Sequence, residues 1–486
     1  MTVSRRVGPV EGDGPVWLRP LIIVVALLAS ALLAFWPSEI ALLAPLGIVA
    51  AVVVYRQPPL GLLGLVVAAL FVPWGASTGT KTNLNAVVVL LPALLGLWAV
   101  RALAERPTRT PMPRYLVPLL GLCLVSALSF VHGSEPLMRF VSTAPLPAQL
   151  AGLAIFVLSG GAFLLARSQL RDVRWLARLT WLFLALGGLY MVGRLVPELG
   201  FVTGLYVREV SGGAVFWVWL VALAFGQALC NRTLSLGWRL ATLALGVVTL
   251  GVGFFEARDW VSGWLPPLVA AALVLWVARP RLAVVVGVAL GVVVALYYTE
   301  ASRVGGAIEA ENAYSSLTRL EAWRIIGQIV AASPWLGVGP ANYYWYTPSF
   351  PILGWYVSFS SHNNYIDIAA QTGLVGLGLF VWFAFEMVLL GVRLTARAPT
   401  GFARAYAVAG LAGLVGTLVA AMLADWLLPF TYNIGLSGFR ISVLAWVFVG
   451  GMAALEQTVS ADGALPEPSV PERGEFALTR AHRRTE

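Results

Sequence analysis

The sequence predicts an all-α fold: a polytopic transmembrane helical bundle of about 12–14 spans, with one long, partly helical external loop. Three observations predict it. Only 11% of the 486 residues are charged and 59% are hydrophobic, whereas a water-facing surface needs roughly a quarter charged. Mean hydropathy is accordingly high, at +0.83. Apolar runs of about 16–22 residues recur along nearly the whole chain, each enough to cross a ~30 Å hydrocarbon core as a helix. Backbone polar groups in lipid must be satisfied within their own segment, which makes those runs helices.

In chain order the runs fall at 20–36, 39–55, 59–74, 85–100, 115–131, 147–166, 175–193, 211–230, 238–255, 260–277, 282–299, 365–391, 405–424 and 437–455. The first follows Arg5, Arg6 and Arg19, as a signal peptide would. The next run begins almost at once, so the first reads as an uncleaved span. Residues 1–19 then form a cytoplasmic N-terminal segment, 20–299 the first part of the bundle, 300–361 the external loop and 362–456 the second part. Residues 457–486 form a polar tail with little to bury, expected to be disordered.

Alternation of the loops gives orientation. With the N-terminus in the cytoplasm, 23 of the 32 basic residues fall on the inner side, the asymmetry that orients membrane proteins. Both termini are then cytoplasmic, and the long loop faces the periplasmic side of the inner membrane. The net charge of +9 sits in short clusters between apolar runs, an orientation signal and not a nucleic-acid surface. Cys123 and Cys230 lie in or beside apolar runs and read as buried free thiols.

The 62-residue stretch 300–361 is too long for an ordinary connection and too aromatic for disorder. Thr318 and Glu321 have capping-box spacing and Ser333-Pro334 supplies a stop, so the spacing predicts a helix over 318–332. Gly337-Val338-Gly339-Pro340 reads as a turn after it.

Ionisable residues are nearly absent from the span centres, Glu386 being the main exception, and gather at outer span ends and in the loop. An ion-coupled transporter needs ionisable or broken-helix features near midplane, so the distribution favours chemistry at the outer interface. Transport of an anionic or saccharide solute is the alternative from another class. Arg258 sits in a tight outer turn, and Arg319 lies one turn before Trp323 on the loop helix. Guanidinium groups there either grip a pyrophosphate bidentately or snorkel and pair with Glu256, Asp259 or Glu321. His362, next to Asn363 and Asn364, is the loop's one histidine. It is either structural or a base for an attacking hydroxyl, the amides orienting it or the acceptor. Tyr343, Tyr344, Trp345 and Tyr365 belong to an aromatic series that either stacks on sugar rings or forms an interfacial belt. Neither a Cys/His cluster nor an Asp-x-Asp element is present, and no nucleotide-binding or nucleophile-elbow sequence occurs, so no metal and no cofactor is expected.

Four blocks in order carry a resemblance: Arg319-Leu-Glu-Ala-Trp323, Ser333-Pro-Trp-Leu-Gly-Val-Gly-Pro340, His362-Asn-Asn-Tyr-Ile-Asp367 and Gln371-Thr-Gly-Leu-Val-Gly376. Together they resemble the O-antigen ligase/polymerase family, whose members are similar to GT-C glycosyltransferases without the metal. The resemblance implies a membrane enzyme that moves a glycan from an undecaprenyl-pyrophosphate-linked donor to a lipid or saccharide acceptor on the outer face. It implies catalytic roles for Arg319 and His362, and for Arg258, which stands after Ala257 where relatives usually have Ser or Thr. Substrate contacts would come from Trp323, Asn363, Asn364, Tyr343, Tyr344, Trp345 and Tyr365. Gln371 stands where relatives often have Glu.

Overall fold

A computed structural model describes residues 39–77, 83–104, 112–256, 260–289, 291–292 and 306–461, with side chains at 39–46, 306–316 and 460–461 excepted. The expected first span at 20–36, most of the tail and Arg258 lie outside these residues.

The helices are α1 (Glu39–Arg56), α2 (Pro59–Phe71), α3 (Ala86–Ala104), α4 (Leu116–His132), α5 (Leu146–Gln169), α6 (Val173–Leu195), α7 (Ala214–Cys230), α8 (Leu236–Glu256), α9 (Val261–Ala278), α10 (Gly306–Ala332), α11 (Asn364–Arg397), α12 (Phe402–Leu423) and α13 (Gly435–Ala461). A short apolar helix, Pro280–Ala289, follows α9. Among the described residues the one sheet is a hairpin, Gly75–Ser77 against Asn83–Asn85. Among the described residues eight helices are long and apolar enough to cross a bilayer, and five further apolar helices are shorter. The protein is therefore a multi-pass helical membrane protein, as its hydrophobic runs predict.

Exposure shows which helices meet lipid. Every residue from Ala214 to Ala224 in α7 is buried, and α13 is buried over most of its length. These two helices form the centre. On α8, Leu240, Val247 and Phe255 are more than half exposed, a face a water-soluble protein would have to cover. Lipid tails are as apolar as leucine, so helices here adhere by close packing and not by the hydrophobic effect. Gly226 provides one such approach: a Cβ there would stand 2.6 Å from the Ala409 Cβ of α12.

Alternation of spans puts the loops at 133–145, 333–362 and 424–434 at one end of the bundle, and hydrogen bonds join all three. The Asn342 amide donates to Gly133 O (2.8 Å) and accepts from Ala144 N (2.9 Å). The Tyr346 hydroxyl accepts from Leu137 N (2.9 Å). Asn364 accepts from Leu427 N (2.9 Å) and donates to Leu428 O (2.7 Å). At the opposite end Arg167 donates to the Tyr115 hydroxyl (3.0 Å), which donates to Glu456 (3.2 Å).

The loop helix departs from expectation at its start. α10 begins at Gly306, so Thr318 and Glu321 lie well inside it and form no capping box. Glu321 instead accepts two hydrogen bonds from Arg324, one turn on (2.9 and 2.7 Å). Its end falls where the Ser333-Pro334 stop predicts. Gly337 and Gly339 then take positive φ, 67° and 91°.

That turn docks into a break in α11. Gly373 has φ 70° and ψ −174°, a conformation open essentially to glycine alone. The break frees two carbonyls and two N–H groups. Val338 N donates to Ala370 O (2.9 Å) and Gly339 N to Gln371 O (3.1 Å), while Leu374 N donates to Pro334 O (2.7 Å) and Val375 N to Trp335 O (3.4 Å). The Gln371 side chain adds a bond, accepting from Ala341 N (3.0 Å). The second and fourth sequence blocks are thus one structural joint.

Candidate active site

The end of the long loop is held rigidly before it reaches His362. Trp323 on α10 donates from its indole to Ser361 O (2.8 Å). The Ser361 hydroxyl donates to the Asp367 carboxylate (2.6 Å) and accepts from Asn363 N (2.9 Å). Asn363 caps α11, its side chain accepting from Tyr365 N (2.9 Å) and Ile366 N (3.4 Å), the usual use of asparagine at a helix start. Between these anchors His362 adopts φ 51°, a left-handed conformation that a non-glycine residue keeps only when its neighbours impose it.

His362 is half-buried, and its ring is oriented by the loop between α12 and α13. The Asn433 Nδ2 lies 3.2 Å from His362 Nδ1 and also donates to the Asp425 carboxylate. The other Asp425 oxygen accepts from Phe430 N (2.7 Å). Burial, followed by the positive charge of Arg319, holds the His362 pKa below its ordinary 6.5. Trp323, one turn beyond Arg319 on α10, bonds the residue before His362, so the helix that carries the loop arginine is held against the imidazole's own segment. Glu321, a candidate partner for Arg319, is engaged by Arg324.

Behind His362 lies a buried acidic pair. Asp425 is 1% exposed, and burial pushes its carboxyl up to about 6. Asp367 is equally buried and is linked to the same corner, since Tyr343, which donates to it, stacks on Phe430, whose N–H donates to Asp425. One Asp367 oxygen accepts from the hydroxyls of Tyr343 (2.5 Å) and Ser361, and the other has no hydrogen-bond partner.

Beside this cluster, α10 and α11 enclose an apolar groove of about 250 Å³ lined by Trp323, Gly327, Val330, Tyr365, Ile366 and Ala369. A larger cavity, about 640 Å³, is lined by Arg101, Arg167 and Trp175 at the end of the bundle away from His362. The chemistry-bearing residues lie by the smaller space.

Residues 239–381 match the family model described as O-antigen ligase. The match bears out the resemblance carried by the four blocks. The matched segment contains Arg258, Arg319, His362 and all four of those blocks. No match was found among curated proteins. The matched segment stops short of Asp425 and Asn433, which lie on the loop after α12.

The structure reassigns several expected substrate contacts. Asn363 is the α11 cap, and Asn364 is fully buried and clamps the 427–428 backbone. Tyr343 is fully buried, stacked on Phe430 at 4.4 Å and donating to Asp367. All three are buried and spend their polar atoms on the protein itself. Tyr344 stacks on Tyr432 (4.6 Å, 11°), and Trp345, 37% exposed, donates to the Tyr432 hydroxyl (2.8 Å). Tyr365 donates to Leu418 O (3.1 Å) while its ring lines the groove. Trp323, Tyr344, Trp345 and Tyr365 therefore keep a face toward open space. Asn433 was not legible as a site residue: it is far from the four blocks in sequence, and its one signal is membership of a short outer loop with Asp425.

Proposed function

We propose that the protein transfers a glycan from an undecaprenyl-pyrophosphate carrier to a hydroxyl of a lipid or saccharide acceptor, on the periplasmic face of the inner membrane. The observation that supports this reading is an imidazole anchored at the end of the long loop, beside an apolar groove on the helix that also carries Arg319. The acceptor oxygen attacks the anomeric carbon as its proton passes to His362. The bond from that carbon to the pyrophosphate breaks, and its electron pair leaves with the carrier. Arg319 neutralises the negative charge that accumulates on the leaving pyrophosphate, joined by Arg258, in the role a metal fills elsewhere. A single displacement of this kind inverts the anomeric centre. The groove beside Trp323 and Tyr365 suits the first isoprene units of the carrier, which need an apolar surface close to the imidazole.

The test uses purified protein with a carrier-linked donor and a hydroxyl acceptor. His362→Ala, Arg319→Ala and Arg258→Ala should each reach the membrane in normal amount yet lose transfer by at least about a hundredfold, the scale of a lost general base or charge stabiliser. Wild-type transfer should survive a chelator. Full activity in the His362 or Arg319 variant would remove that residue from the mechanism, and inhibition by the chelator would bring a metal back into it.

A further inference from the structure

We infer that the Asn433 side chain is a two-position amide switch, thrown by the proton on Asp425, that decides which nitrogen of His362 can act as a base. A single end of the Asn433 amide faces both His362 Nδ1 and the Asp425 carboxyl. The far side of that carboxyl is fixed, because its other oxygen accepts from Phe430 N.

While Asp425 is ionised, only the NH2 end of the amide can face it. That NH2 then donates to His362 Nδ1 as well, so Nδ1 must be the unprotonated nitrogen and Nε2 must carry the hydrogen. An imidazole in this form presents a donor to the acceptor hydroxyl and cannot take its proton. Once Asp425 is protonated, its O–H becomes the donor and the amide turns over. The amide oxygen now accepts from Asp425 and from Nδ1–H, and the Nε2 lone pair faces outward. Oxygen and nitrogen of an amide are nearly the same size, so the exchange needs no backbone movement. The turned amide also stabilises the imidazolium that forms when the proton arrives.

The surroundings favour a proton here. Asp425 and Asp367 are both buried, and one Asp367 oxygen has no hydrogen-bond partner. Two carboxyls in one buried site do not both ionise readily. The other titratable groups of this corner are the Tyr343 hydroxyl, bonded to Asp367, and His362 across the Asn433 amide, with Arg319 on α10. Asn433 is a positioning residue in this scheme, and the consequence for catalysis rests on the transferase reading above.

Asp425→Asn isolates the switch. Phe430 N–H will hold the new amide's oxygen, leaving its NH2 toward Asn433, which must then present oxygen to both neighbours. Histidine-15N spectra of the detergent-solubilised protein, with His362→Gln to identify the resonance, should show an Nε2–H ring at pH 8 in the wild type and an Nδ1–H ring in Asp425→Asn. Wild-type transfer should fall about tenfold per pH unit once Asp425 ionises, and that limb should vanish in Asp425→Asn. Asn433→Leu should lower kcat with KM unchanged at pH values where Asp425 is protonated, and should abolish the alkaline limb. The same tautomer in wild type and Asp425→Asn overturns the switch, whatever the transfer rates. A tautomer exchange in protein that transfers no glycan would leave the switch standing and overturn the transferase reading.

Discussion

Substituting Gly373 tests how the long loop is attached to the bundle. A Cβ at this position would stand 2.2 Å from the carbonyl of Trp335, where ordinary contact begins at 3.4 Å. The turn at Pro334–Leu336 must therefore retreat by more than an ångström. A retreat of that size removes the bonds from Leu374 N to Pro334 O and from Val375 N to Trp335 O, now 2.7 and 3.4 Å. Forcing alanine into φ 70°, ψ −174° adds backbone strain. With net hydrogen bonds near ~1 kcal/mol each and strain of ~1–3 kcal/mol, Gly373→Ala should cost about 2–6 kcal/mol. Gly378 is the control, on the same helix, where an added Cβ would meet nothing within 4 Å. Thermal unfolding in detergent should show Gly373→Ala melting at least ~4 °C below Gly378→Ala, at roughly 2–4 °C per kcal/mol. Limited proteolysis should cut the loop between 333 and 361 sooner, and transfer should fall because His362 is carried by that loop. Equal melting temperatures and equal protease resistance in the two variants would refute the joint.

Two further outcomes follow from the site itself. Trp323→Phe keeps a ring but loses the bond to Ser361 O, worth ~0.5–1.5 kcal/mol; kcat should drop about 2- to 13-fold, and a change confined to KM would instead make Trp323 a substrate contact. Diethyl pyrocarbonate modifies neutral imidazole, so the midpoint of its reaction with His362, followed by mass spectrometry, should lie below pH 6.5. Arg319→Ala removes the second of the two depressing influences, and the midpoint should move up toward 6.5; a downward move or none would place Arg319 away from the ring.

The sequence by itself determined the bundle. Its spans follow from apolar run length, a local property, and most of the described membrane helices begin and end within about four residues of those runs, α11 and α13 running six residues further. His362 and Arg319 stand out as candidates because ionisable residues are so scarce in this chain outside the cytoplasmic clusters. The loop helix was misread at its start because Thr318 and Glu321 have the spacing of a cap, and spacing does not say whether the chain before them is already helical.

Only the tertiary structure decided what surrounds the imidazole. Asn363 and Asn364 look like substrate ligands in sequence, yet one closes a helix end and the other ties down a distant loop, because backbone groups freed at α11 and at 427–428 had to find partners. Asp425 and Asn433 reach His362 from 63 and 71 residues away. That juxtaposition depends on how α11, α12 and α13 pack, which no local pattern records.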